Sequence, residues 1–223
     1  MRVAAVIPAL NEAGAIADVV SRVPRDLVAR IIVVDNGSTD ATAEHASAAG
    51  ATVVRETRRG YGWACRAGSA EAADCDAVVY LDGDGSMAPE DIASLIQPIV
   101  DDVADVVCGR RPAFASLMPW HQRAGNRVIA LLLRMHGLRL AELGPFRAIR
   151  VTTLTALDLP GSRFSWPAQM LARAARHGAR VTEVPVGYAQ RAAGTSKVSG
   201  SVRGSLHAAW DISRVIVAER VRP

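Results

Sequence analysis

Short apolar runs that end in polar or glycine-rich breaks dominate the first half of the chain. "RVAAVIPA", "RIIVVDNGS", "ATVVRE", "DAVVYLD" and "ADVVCGRR" each read as a strand, because valine- and isoleucine-rich runs of this length suit a sheet covered on both faces. Helical patterns fill the intervals. "NEAGAIADVVSRV" reads as a helix capped by Asn11, and "STDATAEHASAAG" as a helix closed by Gly50. Tyr61 to Ala73 form a third, and "PEDIASLIQPIV" a fourth with Pro89 in its first turn. Strand and helix alternate at short spacing, which predicts an open, mostly parallel α/β sheet flanked by helices.

The second half breaks this rhythm. "HQRAGNRVIALLLRMHG" and "WPAQMLARAARHG" read as helices, "GPFRAIR" as a strand, and "ARVTEVPVGYAQ" as a strand whose Pro185 marks a sheet edge. "RAAGTSKVSGS" is loop-like, and Val202 to Val221 form a last amphipathic helix. Neither repeat nor linker interrupts the chain, so residues 1–223 are expected to form one domain with two functional halves, 1–110 and 111–223.

Composition adds a sharp division. Residues 1–105 hold 8 basic and 17 acidic side chains, whereas residues 106–223 hold 18 and 5, so net charges of −9 and +13 underlie the overall +4. Arginine richness alone does not thin out the acids, and the basic half is expected to meet an anionic partner. Three cysteines without metal-ligand spacing suit a reducing cytosol. No apolar run has the length of a membrane span, and "MRVAAVIPAL" is too short for a signal peptide, so the expected location is cytoplasmic.

In open α/β sheets, ligands bind beyond the carboxyl ends of the strands. Three such ends are polar here: Pro8, Asn11 and Glu12 after the first strand, Asp35, Asn36, Gly37 and Ser38 after the second, and Asp82, Gly83 and Asp84 after the fourth. Aspartates at i and i+2 of an extended segment point the same way. They repel unless a cation sits between them, and Mg²⁺ or Mn²⁺ suits such a pair, which otherwise reads as a solvated turn. Asp35 precedes the residues that can cap the next helix (Ser38, Thr39 or Asp40), so a carboxylate there is available to accept from a base N–H. In "RRGYGWACRAG", Gly60 and Gly62 permit close backbone approach and Arg58 or Arg59 can neutralise phosphate, although the stretch also passes as a loop.

Taken in order, "IPALNE", "VVDNGSTDAT", "RRGYGWA", "LDGDGS", "GPFRAIR" and "RAAGTSK" resemble family 2 glycosyltransferases of the GT-A fold, nearest the polyprenyl- and dolichyl-phosphate sugar synthases. The resemblance spans about residues 3 to 200. It implies a UDP-, GDP- or dTDP-hexose donor, with Pro8, Ala9, Asn11 and Glu12 lining the nucleotide pocket, Asp35 near the base, Gly37 and Ser38 among the donor-binding residues and Gly60 near the donor. It also implies that Asp82, Gly83 and Asp84 form the Asp-x-Asp element holding Mg²⁺ or Mn²⁺ through the two carboxylates. Arg191, Ser196 and Lys197 match the loop that closes near the phosphates; Lys197 is the sole lysine. Arg147 is a second phosphate candidate, and an inverting displacement is expected.

Two positions depart from the family pattern. Glu142 stands where aspartate is usual, and Gln169 where close relatives often carry glutamate; if that acid deprotonates a hydroxyl acceptor, glutamine cannot, and the role of base passes to Glu142 or disappears. A phosphate acceptor is already anionic and needs no strong general base, so the glutamine favours a lipid phosphate over an alcohol. Competing readings are a silent nucleotide-sugar binder, a transferase acting on a soluble hydroxyl, and a nucleotidyltransferase lacking its glycine-rich loop. Nucleic acid is disfavoured because the few aromatics form no stacking platform. Peripheral membrane contact, at the inner face, and a homodimer are compatible with the sequence; "NRVIALLLRMHGLRL" and the last helix carry apolar stripes beside arginines.

Overall fold

The computed structural model describes residues 1–111, 128–162, 165–189, 191 and 202–221. The first half builds β1 (Val3–Ala9), α1 (Ile16–Arg22), β2 (Val28–Asp35), α2 (Thr42–Ala48), β3 (Thr52–Arg55), α3 (Tyr61–Glu71), β4 (Ala77–Tyr80), α4 (Ile92–Val100) and β5 (Val106–Arg110). Pro89 opens a short 3₁₀ turn, Pro89–Asp91, that runs into α4. There follow α5 (128–134), β6 (Arg147–Arg150), α6 (Val151–Ala156), α7 (Trp166–Arg176), β7 (Val181–Pro185) and α8 (Val202–Val221). Of the helix expected over 121–137, residues 121–127 lie outside the described residues and 128–134 form α5; the loop expected from 191 lies outside them except for Arg191.

The strands form one seven-stranded sheet in the order β3-β2-β1-β4-β6-β5-β7. All pairings are parallel except those of β6, which runs antiparallel to both β4 and β5. β1 and β4 occupy its interior and bury nearly every side chain, the reason their sequences are unbroken apolar runs. β7 pairs only with β5, so Pro185 stands at an edge where its missing N–H costs no ladder bond.

Alternation along the strands splits the core into two layers. Ala5, Ile7, Val33 and Val79 meet Ile16 and Val20 of α1 and Leu95 and Ile99 of α4. On the other face Val6, Ile32, Val34 and Tyr80 meet α3, α5, α7 and α8 through Cys65, Leu133, Leu171 and Ile216. Gly68 makes this layer possible, since a Cβ there would lie 2.4 Å from Val6. Cys65, Cys75 and Cys108 are all buried free thiols; burial pushes Cys108 up to about 11.

The expected cap at Asn11 is a correction. α1 begins only at Ile16, no side chain caps it, and Asn11 adopts φ +53°, a left-handed conformation that asparagine tolerates. Its side chain is engaged by the neighbouring loop instead.

Candidate functional site

The loops after β1 and β2 are sewn together. The Asn11 N–H donates to Ser38 Oγ (3.0 Å), and Asn11 Oδ1 accepts from the Thr39 N–H (2.8 Å). The Glu12 N–H donates to Thr42 Oγ1 (2.9 Å) and the Ala13 N–H to Asp40 Oδ2 (3.2 Å). Asp40 also accepts from the Thr42 N–H (3.1 Å), so it steadies the start of α2 from just outside that helix. Asp35 is nearly buried, and its Oδ1 accepts from the Ser38 N–H (2.9 Å). Gly37, at φ +85°, supplies the turn, and its carbonyl accepts from Arg59 (3.2 Å).

Asn36 is a residue whose part sequence reasoning missed. Its amide nitrogen donates to the carbonyls of Glu56 (3.0 Å) and Arg58 (2.9 Å), while its Oδ1 accepts from the Gly60 N–H (2.7 Å). One side chain therefore fixes the loop that precedes α3. Glu56 completes that loop by pairing with Arg58 (2.7 Å), whose guanidinium lies 4.1 Å over the Trp63 ring. Gly60 has φ +143°. Gly62 does not open onto a ligand: a Cβ there would lie 2.7 Å from both Ser162 Oγ and Trp166 Cβ, so its smallness serves packing. Gly83 likewise abuts the side chains of Ile16 and Ile7.

At the end of β4, Asp82 is half-buried and Asp84 is buried. Asp84 Oδ1 accepts from the Ser86 N–H (2.9 Å), and its Oδ2 pairs with Arg191 at 2.9 Å. Arg191 reaches this position because its segment is tied to the Asp-x-Asp loop: the Gly187 N–H donates to Asp91 (2.6 Å), the Ala189 N–H to the Ser86 carbonyl (2.9 Å), and Met87 bridges Tyr188. The same guanidinium lies 3.9 Å from Glu12, linking the ends of β1 and β4. Burial and the charge of Asp84 push the Asp82 carboxyl up to about 7, against the opposing pull of Arg191, Arg111 and Arg147. Asp82 and Asp84, side by side at a strand end, are a donor set that fits a hard divalent cation taking one or two carboxylates, with phosphate and water as further ligands.

Glu142 and Arg147 take other positions than a free base and a phosphate contact would. Glu142 Oε1 accepts the Arg111 backbone N–H (2.7 Å) and Nε–H (3.0 Å), and Oε2 accepts from the same guanidinium (3.0 Å). Arg111 also lies 5.1 Å over the Tyr188 ring, so this pair braces the segment that carries Arg191. Arg147 is almost wholly buried beneath the crevice and donates to the carbonyls of Gly144, Pro145 and Pro167. It is neither a solvated strand residue nor directed outward. Gln169 is buried too, donating at 2.7 Å to Glu219 on α8. Ser196 and Lys197 lie outside the described residues. Pro8 and Ala9, paired with Val34 and Asp35, form the floor from which the site's loops rise.

Residues 4–156 match the family described as Glycosyl transferase family 2. An uncharacterized glycosyltransferase of Mycobacterium tuberculosis (strain ATCC 25618 / H37Rv) is 42% identical over 216 residues, covering 96% of this chain and 97% of the relative. The undecaprenyl-phosphate mannosyltransferase of Micrococcus luteus is 32% identical over 228 residues, covering 92% and 90%. Glucosyl-3-phosphoglycerate synthase from Mycobacterium tuberculosis, in a crystal structure with Mn²⁺, uridine diphosphate and phosphoglyceric acid, superimposes with a TM-score of 0.77 at 22% identity, covering 100% of this chain and 79% of that one.

Proposed function

Because the chain belongs to glycosyl transferase family 2, we propose that it transfers a hexose from a nucleoside-diphosphate sugar to a lipid phosphate of the polyprenyl type, with inversion. The observation that carries the reading is the Asp82/Asp84 pair at the end of β4, in a crevice whose other walls are the loops after β1 and β2. Asp82 and Asp84 would hold Mg²⁺ or Mn²⁺, which when bound offsets the charge on the departing diphosphate. Asp35 offers a carboxylate oxygen to a base N–H, and Arg191 offers a guanidinium to phosphate. A phosphate oxygen of the acceptor attacks the anomeric carbon as the bond from that carbon to the diphosphate oxygen breaks.

The acceptor reading draws on what the chain does with its other candidates. Gln169 cannot take a proton, and Glu142 is engaged on both oxygens by Arg111. A phosphate monoester loses its second proton at about pH 6, so no base is required at neutral pH. The mannosyltransferase relative, named for an undecaprenyl phosphate, supports the same acceptor class. A soluble phosphorylated acceptor is the second reading, favoured by the phosphoglyceric acid bound to the structurally similar synthase. Donor identity is tested by calorimetric titration with UDP-glucose, UDP-N-acetylglucosamine, GDP-mannose and dTDP-glucose, with and without Mn²⁺, beside Asp84→Ala. Manganese-dependent binding of one donor, lost in the variant, is expected. Transfer of that sugar to a prenyl phosphate but not to phosphoglycerate separates the two acceptors. Failure of every donor to bind overturns the reading.

A further inference from the structure

Helices α5 and α8 lie side by side over one face of the sheet. Ile129, Leu133 and Ile216 turn inward into a shared core layer, and His136 meets the Ile216 carbonyl at 3.0 Å. Both expose large apolar side chains among the described residues. Val128, Leu131 and Met135 stand at i, i+3 and i+7, the spacing of one helical stripe. Trp210 and Val217 form a matching stripe on α8, with exposed Arg214 between them. Of the eight large apolar side chains exposed among the described residues, five belong to this surface, and Trp210 is the most exposed at 65%. Such a concentration marks an interaction surface.

Charge decides what covers it. Arg134, Arg139 and Arg214 are exposed around the stripes, and no acid occurs between residues 128 and 141. On α8, Asp211 is half-buried, while Glu219 is buried against Arg173 and Arg176. A second copy of this face would set arginines against arginines. An anionic lipid surface offers what the face lacks: phosphates for the guanidinium groups and a headgroup boundary that accepts an indole. Among the described residues no helix is long and apolar enough to cross a membrane, so the contact lies along the surface.

We propose that the outer face of α5 and α8 docks on an anionic membrane surface, with Leu131, Met135, Trp210 and Val217 entering the headgroup boundary and Arg134 and Arg214 binding lipid phosphates. For its purpose the proposal rests on the lipid-phosphate reading, since an acceptor of that class is itself held in such a surface. Flotation with vesicles of equal phosphatidylglycerol and phosphatidylcholine tests it without any polyprenyl phosphate. The protein should float with these vesicles and about tenfold less with pure phosphatidylcholine. Leu131→Ser/Trp210→Ser, shown folded by circular dichroism and unchanged donor binding, should lose at least about tenfold in binding. Arg134→Gln/Arg214→Gln should lose only the preference for the anionic lipid. Absence of flotation, or equal flotation of the Ser variant, overturns the proposal. A wild-type dimer that Trp210→Ser dissociates, seen by analytical ultracentrifugation, also overturns it in favour of self-association. Transfer to a short water-soluble prenyl phosphate without vesicles tests the acceptor reading separately.

Discussion

Arg191 holds Asp84 Oδ2 at 2.9 Å and stands 3.9 Å from Glu12, so the guanidinium neutralises the very carboxylate expected to hold a cation. Any other positive charge at Asp84 must compete with it. Arg191→Gln is therefore expected to bind Mn²⁺ in the absence of nucleotide roughly tenfold more tightly, the equivalent of about 1.4 kcal/mol. The same variant should bind UDP with Mn²⁺ more weakly, because a phosphate contact is lost. Calorimetry on both reads the split; unchanged Mn²⁺ affinity would remove Arg191 from this competition. The Asp-x-Asp pair was legible from spacing alone, since i and i+2 in an extended chain converge regardless of context. The engagement of Glu142 was not, because its partner Arg111 is 31 residues away and nothing local announces the pairing. Asn36 was visible only as a polar strand end. Its three hydrogen bonds depend on where the chain returns some 20 residues later.

At the scale of elements, α8 is anchored to α7 by Glu219, which accepts from Gln169 (2.7 Å), Arg173 (3.0 Å) and Arg176 (3.3 Å). This accounts physically for the glutamine. A glutamate at 169 would place a second carboxylate against a buried one and remove a donor. Gln169→Glu is expected to lower stability by about 2 kcal/mol, seen as a reduced Tm and an early change in α8. Gln169→Met, which removes the donor without adding charge, should cost less. Equal effects of the two substitutions would mean that charge repulsion is not the cause. Most elements were legible from period and composition. β3, expected at 51–56, occupies Thr52–Arg55, and α3, expected at 61–73, occupies Tyr61–Glu71. The chain ends α3 two residues early in a local turn, with the Ala72 and Ala73 N–H groups donating to the carbonyls of Ser69 and Ala70.

Across the molecule, the two ends of the sheet are opposites electrostatically. At the site end, burial and the neighbouring Asp84 push the Asp82 carboxyl up to about 7. At the other end Arg180 binds Asp105 (2.8 Å) and Asp102 (2.8 Å), and Arg150 binds Asp102 (2.7 Å), tying together the starts of β5 and β7 and the end of β6. Hydrogen bonding from Arg180 holds the Asp105 carboxyl down at about 2, against the opposing effect of burial. An unfolded aspartate titrates near about 3.9, so this group stabilises the fold fully above that value and loses its contribution as pH falls from about 4 to about 2. The contribution is on the order of 2 kcal/mol. Asp105→Asn should lower the Tm at pH 7 and flatten its decline between pH 4 and 2; a variant that keeps the full acid decline would refute the assignment. Parallel pairing was legible from the alternation of strand and helix. The insertion of antiparallel β6 between β4 and β5 was not, because strand order is set by long crossovers rather than by the strands' own residues.

Cys65, Cys75 and Cys108 lie inside the fold, each with its thiol pushed up by burial. With so little thiolate available at neutral pH, the native protein offers almost no background to an alkylating dye. A single cysteine introduced on the outside, at Val217 for instance, becomes the one position that takes a fluorophore or a spin label. The chain thus comes ready for optical and magnetic distance measurements without any of its own cysteines having to be replaced.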